Sequence, residues 1–309
     1  MTDDLKLPEC MRLLPVETMG VIKRLEWYAR KRKSGSLTGR HRSPEKGSSV
    51  EFAEHRQYSP GDDPKNLDWK VMGKSDRQII RQYVEETNLR ATIAVDVSGS
   101  MDFTGDHAAT INGQPLSKLN YAKHLAAAIA YLFIKQGDGA GLITFDKTIR
   151  SFIQSASRPS QIQRILEELY NAAPGEESEL SSVLHSVAER IPGRGLVILI
   201  SDFFDDPKNI VEALHHFDFR NHELVVIHLL AEEELTFPFK SFQRFQDLEG
   251  IEPLLKIDPQ AVRNAYLEKL RTFIAQIDAA CGRMRADYVS VNTSTPLETS
   301  LLSYLANRK

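Results

Sequence analysis

The sequence predicts an α/β fold: a doubly wound, mostly parallel sheet flanked by helices, with a smaller N-terminal α+β subdomain. Three observations carry this. From Leu89 onward, short apolar runs alternate with segments of helical periodicity. Those runs are rich in Val, Ile and Leu without polar alternation, as strands buried on both faces must be. Before Leu89 the chain is instead basic, polar and turn-rich. With 309 residues and 41% apolar content it can bury a full core.

Residues 1–88 form the expected smaller subdomain. An amphipathic, basic helix is expected around Val16 to Lys33, followed by a Ser/Gly stretch and then EFAEHRQYSPGDDPKNLDWKVMGKSDRQIIRQYVEE. Pro60-Gly61 marks a turn, Asp63-Pro64 opens a short helix, and DRQIIRQYVEE alternates as a strand does. Residues 89–309 form the larger domain, with strands at ATIAV, AGLITF, GLVILI, ELVVIHLL and ADYVSV and a further short strand at Thr148 to Ile153 beside AGLITF. Between the first two, Leu116, Leu119, Leu125, Ile129, Leu132 and Phe133 give one helix an apolar face. Leu180, Val183, Leu184 and Val187 do the same between Glu179 and Ile191. Ser160 with Gln163 and Thr295 with Glu298 fit capping boxes, while Asp206-Pro207 and Asp258-Pro259 read as a cap followed by a first-turn proline. Residues 232–258 are an insertion with a hairpin around Gln246 to Lys256.

The formal net charge of -3 and pI near 6.3 argue against a dedicated nucleic-acid binder. A local basic cluster, Lys23, Arg24, Arg30 to Lys33, Arg40 and Arg42, is open to two readings, a solvated helix face or a contact with nucleic acid or an acidic partner. Cys10 and Cys281 lack metal spacing, which points to a reduced cytoplasmic chain. No apolar run approaches the ~20 residues of a membrane helix, so no membrane insertion is expected.

The stretch DVSGSMD follows the apolar run ATIAV. In an open parallel sheet, ligands bind beyond the carboxyl ends of the strands, and Asp96, Ser98 and Ser100 stand at such an end. A carboxylate with two hydroxyls offers hard oxygen donors, which suit Mg2+ or Mn2+ better than zinc or copper. Two further oxygen clusters would reach the same edge: Ser178 in PGEESELSSVL and Asp202 in ILISDFF. A dication held by neutral hydroxyls with only Asp96 and Asp202 nearby keeps affinity for another anion, such as a partner's carboxylate. The structural alternatives are a strand-end turn for Asp96 and its serines, and helix or loop capping for Ser178 and Asp202.

The succession DVSGSM, amphipathic helix, AGLITFD, PGEESELSSVL, ILISDFF resembles a von Willebrand factor A domain with its metal-ion-dependent adhesion site. That resemblance implies metal-contacting roles for Asp96, Ser98 and Ser100, a water-mediated role for Asp202, and the third-loop position for Ser178. The front segment EHRQYSPGDDPKNLDWK, followed by a strand and DVSGSM, is similar to the domain of unknown function 58 family. This resemblance spans about Gly47 to Arg308. It implies partnership with a MoxR-type AAA+ ATPase, as an adaptor or co-chaperone in the maturation of proteins or complexes. Arg56, Tyr58, Asp62, Asp63, Asp68 and Trp69 match the family's front motif. They are expected to form a charge-stabilised loop with Trp69 packed inward, or an interaction surface.

An enzymatic alternative is a magnesium-dependent phosphohydrolase with Asp96 as nucleophile. Such enzymes need a second aspartate two residues on, where this chain has Ser98. The GKS at Gly73 to Ser75 lacks the glycine five residues earlier that a phosphate-binding loop requires, since Asp68 stands there.

Overall fold

The computed structural model describes residues 9–15, 18–20, 50–58, 67–75, 78–85, 89–175, 180–239, 243–245, 255–257 and 259–307. The chain divides into two compact units, Ser36–Asn88 and Met1–Gly35 with Leu89–Lys309. The boundary at residue 88 is the expected one, but residues 1–35 fall into the larger unit and not into a single 1–88 subdomain.

In the smaller unit, β1 (Val50–Gln57) pairs antiparallel with β2 (Ile79–Glu85), and α1 (Trp69–Ser75) lies between them in sequence. The short helix expected to open at Asp63-Pro64 lies outside the described residues. Asp68 caps it, its Oδ1 accepting from the amides of Lys70 and Val71 at 3.1 and 3.2 Å. Asp68 is buried, whereas Trp69 is 63% exposed and does not pack inward as expected. The cap explains this: once Asp68 turns its carboxylate back on the helix start, the next residue projects from the first turn.

The larger unit is a six-stranded sheet. In chain order its strands are β3 (Arg90–Asp96), β6 (Gly139–Phe145), β7 (Ile149–Ala156), β8 (Leu196–Ser201), β9 (Glu223–Leu230) and β12 (Asp287–Asn292). Their spatial order is β12-β9-β8-β3-β6-β7. All neighbours are parallel except the β6–β7 pair. Minor ladders are β4 (Thr110–Ile111) with β5 (Gln114–Pro115), and β10 (Gln243–Phe245) with β11 (Leu255–Ile257); the latter is the hairpin expected in the insertion.

The helices are α2 (Lys118–Lys135), α3 (Ser160–Asn171), α4 (Leu180–Arg190), α5 (Pro207–Phe219), α6 (Glu232–Thr236), α7 (Pro259–Met284) and α8 (Leu297–Asn307). Alternate residues of each strand feed two cores. Ile93, Val95, Ile198 and Ile200 pack with α2, α3 and α8, while Ala94, Val197 and Leu199 pack with α4, α5 and α7. Cys10, Leu13 and Leu14 join the first core, and the His124 ring donates to the Leu13 carbonyl at 3.0 Å, which is why the N-terminal residues cluster here. Asp206 caps α5 as expected, accepting from the Lys208 amide at 2.8 Å. Ser160 is not a cap: it is the first residue of α3, after Pro159, and Gln163 instead donates to Glu167.

Gly141 lies where β6 and β7 come close. A Cβ there would stand 2.7 Å from the Ile153 carbonyl oxygen and 2.8 Å from the Ser155 amide nitrogen, both backbone atoms. Gly141→Ala is therefore expected to cost about 1–3 kcal/mol, read as a lowered urea midpoint at unchanged m-value.

Candidate metal site at the carboxyl edge of the sheet

The central strand β3 is buried from Ala91 through Asp96, so the chain delivers a carboxylate to the sheet edge at 2% exposure. Such a group must be hydrogen-bonded. Asp96 Oδ1 accepts from the Ser98 amide at 2.9 Å, and Oδ2 accepts from the Ser201 hydroxyl at 2.6 Å. Ser201 ends the adjacent strand β8, and its oxygen accepts in turn from the Phe203 amide at 2.9 Å. Phe203 is buried in the left-handed region at φ 52°, a conformation costly for a bulky residue that the surrounding packing must enforce. The loop carrying Asp202 is thus fixed onto Asp96.

The hydroxyls of Ser98 and Ser100 lie 3.2 Å apart. Ser98 precedes the 3-10 turn Gly99–Asp102 but makes no side-chain cap bond to it. Helix capping therefore does not account for these two hydroxyls. A second loop reaches the same turn, where the Gly175 amide donates to the Val97 carbonyl at 2.7 Å. The approach is close: a Cβ at Gly175 would fall 2.1 Å from Asp146 Oδ2 and displace that side chain. Ser178, three positions on, lies outside the described residues.

Asp202 is 6% exposed. Its Oδ2 accepts from the Lys118 ammonium at 2.6 Å, and Lys118 also donates to Glu234 Oε1 at 3.0 Å. Burial alone would lower the Lys118 pKa, but the charges of Asp202 and Glu234 outweigh it and hold the ammonium above its ordinary value. Asp96 moves the other way for a carboxylate. Burial and then the charge of Asp202 push it up to about 6, against hydrogen bonds from Ser201 and Ser98 that lower it.

His228, opposite Ser201 in the β8–β9 register, completes the surroundings. A carbonyl can only accept, so its Nε2–H donates to the Asp202 carbonyl at 3.0 Å, leaving Nδ1 to accept from the Tyr288 hydroxyl at 2.7 Å. Burial pushes this imidazole down to about 4. Beside it a cavity of about 820 Å³ opens, lined by Asp202, Phe203, Phe204, His228, Tyr266 and Phe273 among others.

Of the residues predicted from sequence, Asp96, Ser98, Ser100 and Asp202 therefore meet at one edge. Lys118 and His228 belong to the same cluster and were not predicted. In the smaller unit, Tyr58 is half-buried and Asp68 caps α1, while Asp62, Asp63 and the Arg56 side chain lie outside the described residues.

The residues present suit a hard dication. Burial and then the charge of Asp202 raise the proton affinity of Asp96, the Ser98 and Ser100 hydroxyls lie together on the same turn, and each of these groups offers oxygen. Bound there, such an ion would supply an open coordination position for an incoming carboxylate.

The central strand of this doubly wound sheet thus ends in D-x-S-x-S, with an aspartate at the end of the adjacent strand, the arrangement that the sequence resemblance to a von Willebrand factor A domain implies. The family described as protein of unknown function DUF58 matches residues 54–273, and the chain belongs to it. An uncharacterized protein of Mycobacterium tuberculosis is 26% identical over 297 residues, covering 93% of this chain and 89% of that protein. Among solved structures, the chain is similar to an aerotolerance-related membrane protein from Bacteroides fragilis (16% identity, 71% of this chain and 98% of that one, TM-score 0.44). It is also similar to the vWF domain of the type V pili tip protein Mfa5 from Porphyromonas gingivalis (10% identity, 72% and 98%, TM-score 0.36). No helix among the described residues is long and apolar enough to cross a membrane.

Proposed function

We propose that this protein is a noncatalytic, metal-dependent protein-interaction module that serves a MoxR-type AAA+ ATPase as adaptor or co-chaperone. The observation that carries the metal reading is the buried Asp96 carboxylate, fixed by Ser98 and Ser201, beside the paired hydroxyls of Ser98 and Ser100. Asp96, Ser98, Ser100 and Asp202 would hold Mg2+ or Mn2+, with Ser178 from the neighbouring loop. An acidic side chain of the partner would complete the shell. The ATPase assignment rests on the family resemblance of the front segment.

Asp96 is a poor nucleophile in this setting. Both its oxygens already accept hydrogen bonds, and Ser98 stands where a phosphohydrolase needs its acid–base carboxylate. Both cysteines are free and buried.

The test is binding of a purified MoxR-type AAA+ ATPase to wild type and Asp96→Ala, each with Mg2+ and with excess chelator. Retention by wild type with Mg2+ alone is expected. Equal binding under all four conditions would remove the metal from the interaction.

A further inference from the structure

We propose that Lys118 is a built-in competitor for the divalent cation, holding Asp202 until an ion and an acidic partner claim the site together; this rests on the metal-site reading above. Lys118 is the first residue of α2, after the N-cap Ser117. A cation in the first helical turn opposes the helix dipole, so this position gives a lysine no local advantage. Its ammonium is nevertheless buried at 3% side-chain exposure, 2.6 Å from Asp202 and 3.0 Å from Glu234.

Asp202 thus already has a cation of its own. A dication drawn to Asp96, Ser98 and Ser100 meets a fixed positive charge on the carboxylate it would share. The arrangement also gives the displaced ammonium somewhere to stay. Glu234 Oε2 accepts from the Ala231 amide at 2.7 Å at the start of α6, so its Oε1 remains in place for Lys118 when Asp202 turns to the metal. The buried ammonium keeps a carboxylate partner in either state, which is what its reversible exchange inside a protein requires. With Lys118 present, the two carboxylates bind an ion weakly by themselves. A partner's carboxylate adds the missing negative charge, so the ion and partner load as a pair.

The experiment is Mn2+ titration of the full chain, followed by the electron paramagnetic resonance signal of the free ion, on wild type, Asp96→Ala, Lys118→Gln and Lys118→Gln/Glu234→Gln. The double variant matters in two ways. It restores the local formal charge that Lys118→Gln alters, and it removes the half-buried carboxylate that the single variant leaves without its cation. Both glutamine variants are expected to bind Mn2+ at least about tenfold more tightly than wild type, with native circular dichroism. Tightening confined to the single variant would mean that Lys118 acts only as distant charge, and would overturn competition at Asp202. Asp96-dependent binding in wild type with no tightening in either variant would overturn the proposal and leave the metal site standing. Binding unaffected by Asp96→Ala would overturn both.

Discussion

Asp96→Asn is expected to lose Mn2+ or Mg2+ affinity by roughly 100-fold or more, since even residues outside the metal shell commonly contribute 10–100-fold. In chelator the same variant is expected to be more stable than wild type at pH 7. The reason lies in the direction of the Asp96 shift. Its ordinary value of 3.8 rises to about 6 in the fold, so the folded chain holds a proton through a pH window in which the unfolded chain has lost it. Stability therefore falls as pH rises between those values, and by pH 7 the charged, metal-free carboxylate costs about 1–3 kcal/mol. Asparagine can keep the bond from the Ser98 amide with its Oδ1 and reverse the other, its Nδ2–H donating to the Ser201 hydroxyl, and it never charges. A metal ion would relieve the same cost in wild type, raising its melting temperature while leaving the variant unmoved. A variant that is less stable in chelator and still responds to Mg2+ would show that Asp96 is a structural turn residue.

How much of this was legible in the sequence depended on whether a residue's role followed from a local pattern. Apolar runs ending in Asp96 and Ser201-Asp202 placed those groups at strand ends, because parallel strands in a covered sheet share one carboxyl edge. Asp206 capped its helix because the cap and the first-turn proline sit side by side. Lys118 had no such signature. Its partners are 84 and 116 residues away in sequence, and a lysine beginning an amphipathic helix reads as solvated until the fold buries it. His228 left a fainter trace, as the one ring nitrogen base inside the apolar run ELVVIHLL, but its link to Asp202 requires the β8–β9 register. Trp69, an aromatic next to a turn, is expected inside on hydrophobicity alone, but the Asp68 cap decides which way the first helical turn faces. The Ser160 cap failed for a related reason: with Pro159 ahead of it, the helix takes Ser160 as its own first residue.

His228 gives the second large effect, opposite in sign to that of Asp96. A histidine whose folded pKa lies below its unfolded value contributes full stability above the unfolded value and loses it as pH falls through the window between them. Here that window runs from 6.5 down to about 4. Protonating Nδ1 would replace an acceptor of the Tyr288 hydroxyl with a second donor in a site closed by Phe203 and Phe273. Between pH 7 and pH 5 this residue is expected to remove about 2 kcal/mol, while Asp96, taking up its proton over the same range, returns about 1 kcal/mol. Urea unfolding in chelator at the two pH values separates them. Wild type should lose only about 1 kcal/mol, because its two terms oppose. Asp96→Asn should lose more stability on acidification than wild type, having lost the compensating term. His228→Gln should be less stable at pH 7 yet gain or hold stability at pH 5. Because both groups bracket Asp202, one through Ser201 and one through its carbonyl, equal slopes in all three proteins would mean that the edge is hydrated and relaxed. It would then lack the dry, preorganised carboxylates on which a metal grip depends.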